Sequence, residues 1–499
     1  MSDADRIKRP EAEHHEAPEE KTLTAVRTHY TPSTEEENAL DRSINLKTDI
    51  CVVVILAIDF LWQGIAKSNI GSAGTSTMVK DAHLREDDIP SSLTWWSATY
   101  VPLQPFSTMV GRKVGPKNWI IIMMVVWGAL SVAHAGIRNR GTLIALRLLL
   151  GAAESGFTPT SFYYMSTLYP KEYLGFRTGM FTGMYSVAAA FSGLIAFGTL
   201  QIDSSRLHGW QVLFVLEGSL TIVFAVVSFL MLPRNTSTAW YLSQREREHA
   251  ARRMHLDVGT EEAGSHSSTS LTMGNIVDAV KDWKKLLIVV CNIFVVLPVT
   301  AFTTFLPLIV QGMGYKGVRA NLMSVPPFAV GFVGLLILVY LSDRTRDRSL
   351  FIIIGETIGM IGLAVMYATK NPRLRYGFTH VCLCGAFAGG PLVATWIADN
   401  TPDAATRSVL LGINGWSNLA GIIAGQLFKA KYKPAYTFPL RTVMILVAVD
   451  VVGFIALRLL YMYTNRKRKA LREQLSAEEV EQRDREQRGN HKLTFVYGY

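Results

Sequence analysis

From residue 47 onward the chain alternates apolar runs of about 20 residues with short polar interruptions, the run length a helix needs to cross a hydrocarbon core roughly 30 Å thick. The runs fall near 47–69, 92–111, 118–137, 142–165, 177–200 and 211–233. After a polar stretch at 234–283 they resume near 285–310, 320–341, 350–369, 377–398, 407–428 and 440–462. The pattern predicts an all-α membrane protein with twelve transmembrane helices in two groups of six. The expected organisation is an N-terminal tail over 1–46, a six-helix bundle over 47–233, a bridge over 234–283, a second six-helix bundle over 284–462 and a C-terminal tail over 463–499.

The polar interruptions point to a duplication. "GRKVGPK" (111–117) follows the second run, and "LSDRTRDR" (341–348) follows the eighth, its counterpart in the other half. Two charged tight turns at matching positions are what parallel repeats of a transporter carry. Arg112, Lys113, Asp343 and Arg344 are therefore expected to cap helix ends, bind neighbouring helices on one membrane face and control gating rather than touch a solute. Gly179-x-x-x-Gly183 and Gly421-x-x-x-Gly425 offer close helix contact, and Pro159, Pro298 and Pro307 suggest kinked helices around a cavity.

Composition agrees. Of 499 residues, 49% are hydrophobic and only 18% charged, against about 25% for a typical soluble domain. A formal charge of +10 in such a chain reads as basic loops at an anionic membrane face, not as a nucleic-acid site. Counting Lys and Arg in the short loops alone favours the wrong orientation. Adding the bridge and the membrane-proximal tails reverses the balance and places both termini in the cytoplasm, most simply at the plasma membrane. The first forty-odd residues are polar, so no cleavable signal peptide is expected before the first run. Cys51, Cys291, Cys382 and Cys384 sit in or beside apolar runs and read as packing residues, with no metal site. There is no phosphate-cradling G-x-x-x-x-G-K-[ST] sequence and no soluble catalytic constellation, so neither an enzyme, a cofactor nor direct ATP-driven transport is expected.

Charges inside the apolar runs carry the functional signal, because each costs about 2.5–3.5 kcal/mol to insert. Lys67 and Asn69 in "AKSNIG" are placed to meet a solute in a cavity; the alternative is that Lys67 snorkels to the outer interface. Asp59, eight residues earlier, is positioned to hold a proton or to balance the lysine. Arg147 and Glu154 in "RLLLGAAESGFTP" are two turns apart on one helix face, separated by about 10 Å. Small residues around Glu154 allow close helix contact, which suits a carboxylate that takes up and releases protons, while Arg147 is read as its structural partner. Asn414 and Asn418 in "LLGINGWSNLAGIIAGQLF" are set to hydrogen-bond a solute or a neighbouring helix. Gln63, Trp96, Tyr100, Gln104, Tyr185, Asn292 and Thr303 are weaker candidates, and Glu217 and Glu356 read as structural or interfacial.

Several linked stretches carry a family resemblance: "KSNIGSA", "KVGPKNW", "RLLLGAAESGFTPTSFYYMSTLYP", "GWQVLFVLEGSLTIV" and "WIADNTPDAATRSVLLGINGWSNLAGIIAGQLF". In this order and spacing, residues 47–462 resemble the major facilitator superfamily, and within it the anion:cation symporters, especially the fungal allantoate-permease-like group. The resemblance implies two six-helix bundles rocking about a cavity lined by spans one, four, seven and ten, in a monomer that carries a small organic anion with protons. It further implies that Lys67 stands where the family has a cation for the solute, that Glu154 matches its proton-coupling carboxylate, and that Asn414 and Asn418 match polar positions of span eleven. One departure is visible: the acidic residue that usually precedes the cation is Ala66 here. A carboxylate, vitamin-like or ureide solute is the expected cargo. Export of a secondary metabolite or toxic compound, and a non-transporting nutrient sensor, are the competing readings.

Overall fold

The structure, a computed structural model, describes residues 32, 34–202, 207–264, 281–315, 318–402, 404–487, 490 and 492–499. Most of the N-terminal tail and the second part of the bridge lie outside the described residues. Span 1 (Val54–Ala73) continues the polar helix Glu35–Thr48 through one wide turn, Asp49–Val53. Spans 2, 3, 5 and 6 are Asp88–Val114, Pro116–Ala133, Lys171–Thr199 and Gly209–Met231. Span 4 consists of Arg140–Glu154 and Phe157–Ser166. In the second half, spans 7 to 10 are Trp283–Gly312, Val325–Thr345, Arg348–Ala368 and Pro372–Asp399. Span 11 is Ala404–Asn414, a 3-10 stretch Gly415–Leu419 and Ala420–Leu427, and span 12 is Thr437–Gln474. Among the described residues, nine helices are individually long and apolar enough to cross a membrane. Span 2 and the two broken spans, 4 and 11, complete the twelve.

The departures from the hydropathy pattern have local causes. Span 4 breaks directly after Glu154, where Gly156 packs so closely on span 2 that a Cβ would lie 1.9 Å from Ser107 Oγ. Span 12 runs twelve residues past the apolar stretch into "NRKRKALREQ", because a charged, helix-favouring sequence continues a helix into water at little cost. The chain turns between spans 2 and 3 at Gly115, whose φ of +97° is open to glycine alone. Of the two small-residue motifs only one packs tightly. Gly179 has open space around it and Gly183 makes ordinary contacts, whereas Gly421 and Gly425 lie against Ser97, Thr94 and the Pro90 carbonyl of span 2.

The packing repeats when six is added to each span number. Spans 1–5, 1–6, 2–4 and 3–6 are in contact in the first half, and spans 7–11, 7–12, 8–10 and 9–12 match them in the second. Across the halves the main contacts are 1–7, 2–11 and 5–8, each of which the same operation maps onto itself or onto its partner, with a smaller 5–10 contact beside them. The halves meet at the end away from the termini. There Gly71 lies against the Thr304 carbonyl, Gly193 against the Asn321 carbonyl and Gly425 against the Pro90 carbonyl. Asn321 donates to Thr75 at 3.1 Å, Ala430 N–H to Asp87 at 2.8 Å and Lys433 to Glu86 at 3.0 Å. Every residue from Leu61 to Ala73 in span 1, and from Leu297 to Val310 in span 7, is buried. Nearer the termini both spans regain exposed or half-exposed positions, including Val54 and Val290. Spans 1 and 7 are thus packed throughout at the far end and only in part towards the termini.

Ionic contacts brace the terminal end. Lys47 and Ser43 donate to Glu246 of the bridge helix (Gln244–Gly264) at 2.7 Å, and Arg253 donates to Asp41 at 3.1 Å and Asn45 at 3.0 Å. Burial alone would raise the Glu246 carboxyl, but hydrogen bonds from Lys47, Ser43 and Ser243 overcome it and hold it down at about 2.

Two expectations follow from this packing. A methyl group at Gly71 would sit 1.6 Å from the Thr304 carbonyl oxygen, so Gly71→Ala forces spans 1 and 7 apart. Such overpacking costs about 1–3 kcal/mol or more and lowers the thermal midpoint of the detergent-purified protein. The depressed Glu246 carboxyl stabilises bridge docking fully above its unfolded value of about 4.3, and the contribution is lost as pH falls from there towards 2. At pH 7, Glu246→Gln removes it, and amide exchange in the bridge helix accelerates by roughly tenfold, as for loss of a charge-assisted hydrogen bond.

Candidate functional site

Span 1 supplies the central cation. Lys67 is buried, and its Nζ lies 4.7 Å from the centre of the Trp96 ring of span 2 and 5.5 Å from that of Tyr185 of span 5. It donates across the halves to Asn418 Oδ1 at 3.4 Å, which is a long contact. Glycines bring these rings in. At Gly64 a Cβ would lie 2.7 Å from Ala188 and 3.2 Å from Tyr185, so spans 1 and 5 touch one turn from Lys67. At Gly151 a Cβ would lie 2.2 Å from the Trp96 carbonyl, so spans 2 and 4 touch one turn from Glu154. Lys67 therefore does not snorkel to an interface. It sits between the halves, held mainly by ring faces, each worth up to about 2 kcal/mol when desolvated. That leaves donor capacity on an ammonium that has three N–H groups.

Trp96 joins the cation to the acid. Its ring faces Lys67, while its indole N–H donates to Glu154 Oε2 at 3.2 Å. Glu154 is fully buried, and its Oε1 has no hydrogen-bond partner among the described residues. Tyr100 stacks on Trp96 at 4.3 Å between ring centres. Gln63 donates to the Glu154 carbonyl at 3.1 Å and accepts from Thr158 at 3.3 Å, so the broken turn of span 4 is tied to span 1. On the opposite wall Asn292 of span 7 donates to Asn414 Oδ1 at 2.8 Å. Gln104 reaches from span 2 towards Gly415, where a Cβ would lie 2.5 Å from its Oε1. The 3-10 stretch of span 11 thus presents Asn418 to Lys67, while Asn414, just before it, is held by Asn292.

Other sequence candidates fall elsewhere. Asn69, expected to contact solute, is fully buried and committed on both sides: it donates to Glu217 Oε2 and accepts from Ser192 of span 5 at 2.6 Å. It turns towards spans 5 and 6 because two residues on a helix rotate a side chain by about 200° from Lys67. Asp59 does not balance Lys67; it accepts from Ser228 of span 6 at 2.8 and 2.9 Å, two turns away. Glu217, read as structural or interfacial, is fully buried beside Asn69. Arg147 is buried, and its Nε and Nη2 have no hydrogen-bond partner among the described residues. Thr303 bonds only to its own helix. Glu356 lies apart from the site, buried near Asp450 in the second half.

The gating candidates cluster at the terminal end. The Arg112 guanidinium stacks on Tyr163 of span 4 at 4.9 Å. Arg348 binds Asp343 and, at 3.4 Å, Asp399 at the end of span 10, while Lys113 and Arg344 are exposed. Reasoning from the sequence missed Thr158, Ser192 and Ser228, small hydroxyls of a kind that apolar helices carry at many positions without a role. Among the described residues no group of three or more His, Cys, Asp or Glu side chains is arranged to hold a metal ion.

The arrangement presents a cation with spare donors, amides on the facing half and a buried carboxylate one aromatic ring away. The sequence profile described as Major Facilitator Superfamily matches residues 60–425. An MFS-type transporter of Hormonema carpetanum is 30% identical over 437 residues, covering 87% of this chain and 88% of its own. The high-affinity nicotinic acid transporter of Saccharomyces cerevisiae is 28% identical over 433 residues, covering 87% and 80%. The crystal structure of a D-xylose–proton symporter superposes with a TM-score of 0.61 at 13% identity, covering 82% of this chain and 97% of that one, and shares the fold. With twelve spans in two matching halves around one buried polar site, the chain belongs to the major facilitator superfamily of membrane transporters.

Proposed function

We propose that this protein is a monomeric secondary transporter that carries a small organic anion together with protons by alternating access, with both termini in the cytoplasm. The observation that carries the reading is the Lys67–Trp96–Glu154 relay at the meeting of the halves. An anion that replaces Asn418 on Lys67 gains a charge-assisted hydrogen bond, and neutral amides from Asn414, Asn418 and Gln104 can orient it at no cost in buried charge. Lysine offers a point charge in place of the planar fork that grips a carboxylate twice, so the bound group is held through shape and ring stacking as much as through charge. Trp96, Tyr100 and Tyr185 suit a flat, ring-bearing acid, and a relative from Saccharomyces cerevisiae is named a high-affinity nicotinic acid transporter.

Glu154 is the proton carrier in this reading. Neutralised, it leaves the Lys67 charge to the solute; ionised, it competes with the solute for that charge through Trp96. Solute and proton therefore favour each other's binding, which is the requirement for symport. The basic residues of the terminal end, Arg112, Lys113 and Arg344 among them, support a cytoplasmic position for that end. The less tightly packed end is then the inner mouth, and the Asp343–Arg348–Asp399 cluster and the Arg112–Tyr163 stack stand where the mouth closes.

Proteoliposomes with an acidic exterior are expected to accumulate labelled pyridine carboxylates or related organic anions. Lys67→Met raises the half-saturation concentration about 10- to 100-fold, the loss expected for a hydrogen bond to a charged group. Glu154→Gln abolishes accumulation driven by the gradient while solute-for-solute exchange at equal pH continues. Gradient-driven accumulation that survives in Glu154→Gln refutes the proton role, and no flux of any offered anion in either direction favours a sensor.

A further inference from the structure

Residues 490 and 492–499 lie across the terminal end of the second half, and the helices there hold them by their main chain. Asn465 of span 12 donates to the Tyr497 carbonyl and accepts from the Tyr497 N–H, both at 2.9 Å. Asn400, directly after span 10, does the same for Gly498, donating at 3.1 Å and accepting at 2.9 Å. An asparagine amide carries a donor and an acceptor side by side, so it can take both main-chain groups of one residue whatever the side chain. Trp396 adds a donor to the Gly498 carbonyl at 2.9 Å, and Arg468 adds one to the Phe495 carbonyl at 2.9 Å. Withdrawal of the segment would strip the Trp396 indole and the Asn400 amide, both fully buried, of these bonds.

One side chain of the segment is read as well. Tyr497 is buried and stacks on Tyr461 of span 12 at 4.3 Å between ring centres, with the Arg468 and Lys284 cations 5.0 and 5.3 Å from its own ring. Positions around it alternate: Leu493 is buried, while Thr494 and Val496 are exposed. Main-chain hydrogen bonds from fixed side chains, with a pocket for one residue in the run, are the means by which extended peptides are recognised. The segment also reaches the charged cluster beside it. The Tyr499 carbonyl accepts from the Arg348 main-chain N–H at 2.6 Å, and the Arg348 side chain binds Asp343 and Asp399. Since Asn400 follows Asp399, the segment holds both flanks of the cluster, the start of span 9 and the end of span 10.

We infer that the terminal end of the second half is a peptide-recognition site for a segment with a buried tyrosine, that residues 493–499 of this chain are its occupant, and that their docking fixes Arg348 in the Asp343–Arg348–Asp399 cluster. The site reads main chain through Asn400 and Asn465 and reads sequence through the pocket for Tyr497. The third part rests on the reading of that cluster as part of the inner gate; the first two are independent of transport. Docked, the segment keeps the start of span 9 and the end of span 10 at a fixed spacing, so Arg348 meets each closure of the mouth in the same geometry. Released, Arg348 loses its main-chain anchor, and closure slows.

The test is rescue by a free peptide, read by amide exchange and mass spectrometry on the full chain. Arg348 opens span 9, where a main-chain N–H has no partner inside its own helix, so its protection reports the segment directly. Tyr497→Ala spoils the occupant and leaves the site intact, and exchange at Arg348 is expected to rise about tenfold, as for loss of one hydrogen bond. A synthetic peptide of residues 493–499 added to this variant restores the protection. The same peptide carrying Tyr497→Ala does not, and neither peptide restores it in Asn400→Ala/Asn465→Ala. Exchange at Arg348 that is unchanged in Tyr497→Ala, or protection restored equally by both peptides or in the asparagine variant, overturns the site. In proteoliposomes the maximal rate of anion exchange in Tyr497→Ala falls severalfold at unchanged half-saturation, because Lys67 and its partners are untouched. Raised exchange at Arg348 with the parent's rate of transport overturns the link to the gate. A parent protein that moves no anion is a failure of the transport reading, and the peptide measurements decide the site without it.

Discussion

A charge in the middle of a bilayer must find its partner inside the protein, and the first half of this transporter is arranged around that constraint. Lys67, Arg147, Glu154 and Glu217 are all almost completely buried, two cations and two carboxylates in one six-helix bundle. Asp59 of span 1 is a further buried carboxylate, and these charges are not paired one to one. Lys67 leans on the faces of Trp96 and Tyr185, Glu154 takes a single indole hydrogen bond, and Arg147 Nε and Nη2 have no hydrogen-bond partner among the described residues. A fully satisfied network of this kind would be rigid, and one with missing partners would be too costly to bury.

The two halves repeat each other in packing but divide the chemistry. Contacts 1–7, 2–11 and 5–8 preserve the internal symmetry, yet the charges face the site from spans 1 and 4 while the second half offers Asn292, Asn414 and Asn418. Neutral amides can part from Lys67 and rejoin it without moving a charge through hydrocarbon. The Lys67–Asn418 contact crosses the interface between the halves, so it must stretch or break whenever spans 1 and 11 separate. At 3.4 Å it is already long. Close glycine packing at Gly71, Gly193 and Gly425, not hydrogen bonding at the site, keeps the far end shut.

The fold was legible because hydrocarbon thickness fixes the length of an apolar run, and twelve such runs cannot be hidden by composition. Boundaries were less legible. Span 12 continues to Gln474 because no penalty stops a helix at the membrane surface, and span 4 breaks at Ser155–Gly156 because of a neighbour, Ser107, that no local pattern announces. At the site, Lys67 and Glu154 stood out since charges in apolar helices are rare and expensive. Their connections did not. Trp96 reads equally as an interfacial anchor, and Asn69 differs from a solute ligand only in the direction its helix turns it. The glycines that admit the rings, Gly64 and Gly151, carry the same letter as Gly179, which touches nothing.

The substitution at Ala66 now has a structural context. In the carriers this chain resembles, an acid beside the cation can neutralise it within span 1 itself. Here Ala66 is buried and apolar, and the remaining acid of that span, Asp59, is held two turns away by Ser228. The counter-charge for Lys67 must therefore come from another helix, and Glu154 reaches it only through the Trp96 ring. In the proposed cycle, communication between solute and proton then depends on how spans 1, 2 and 4 are packed, not on two adjacent side chains. Close contact at Gly64 and Gly151 is what holds that packing. With no acid beside Lys67 on span 1, the proposed coupling becomes a property of the bundle.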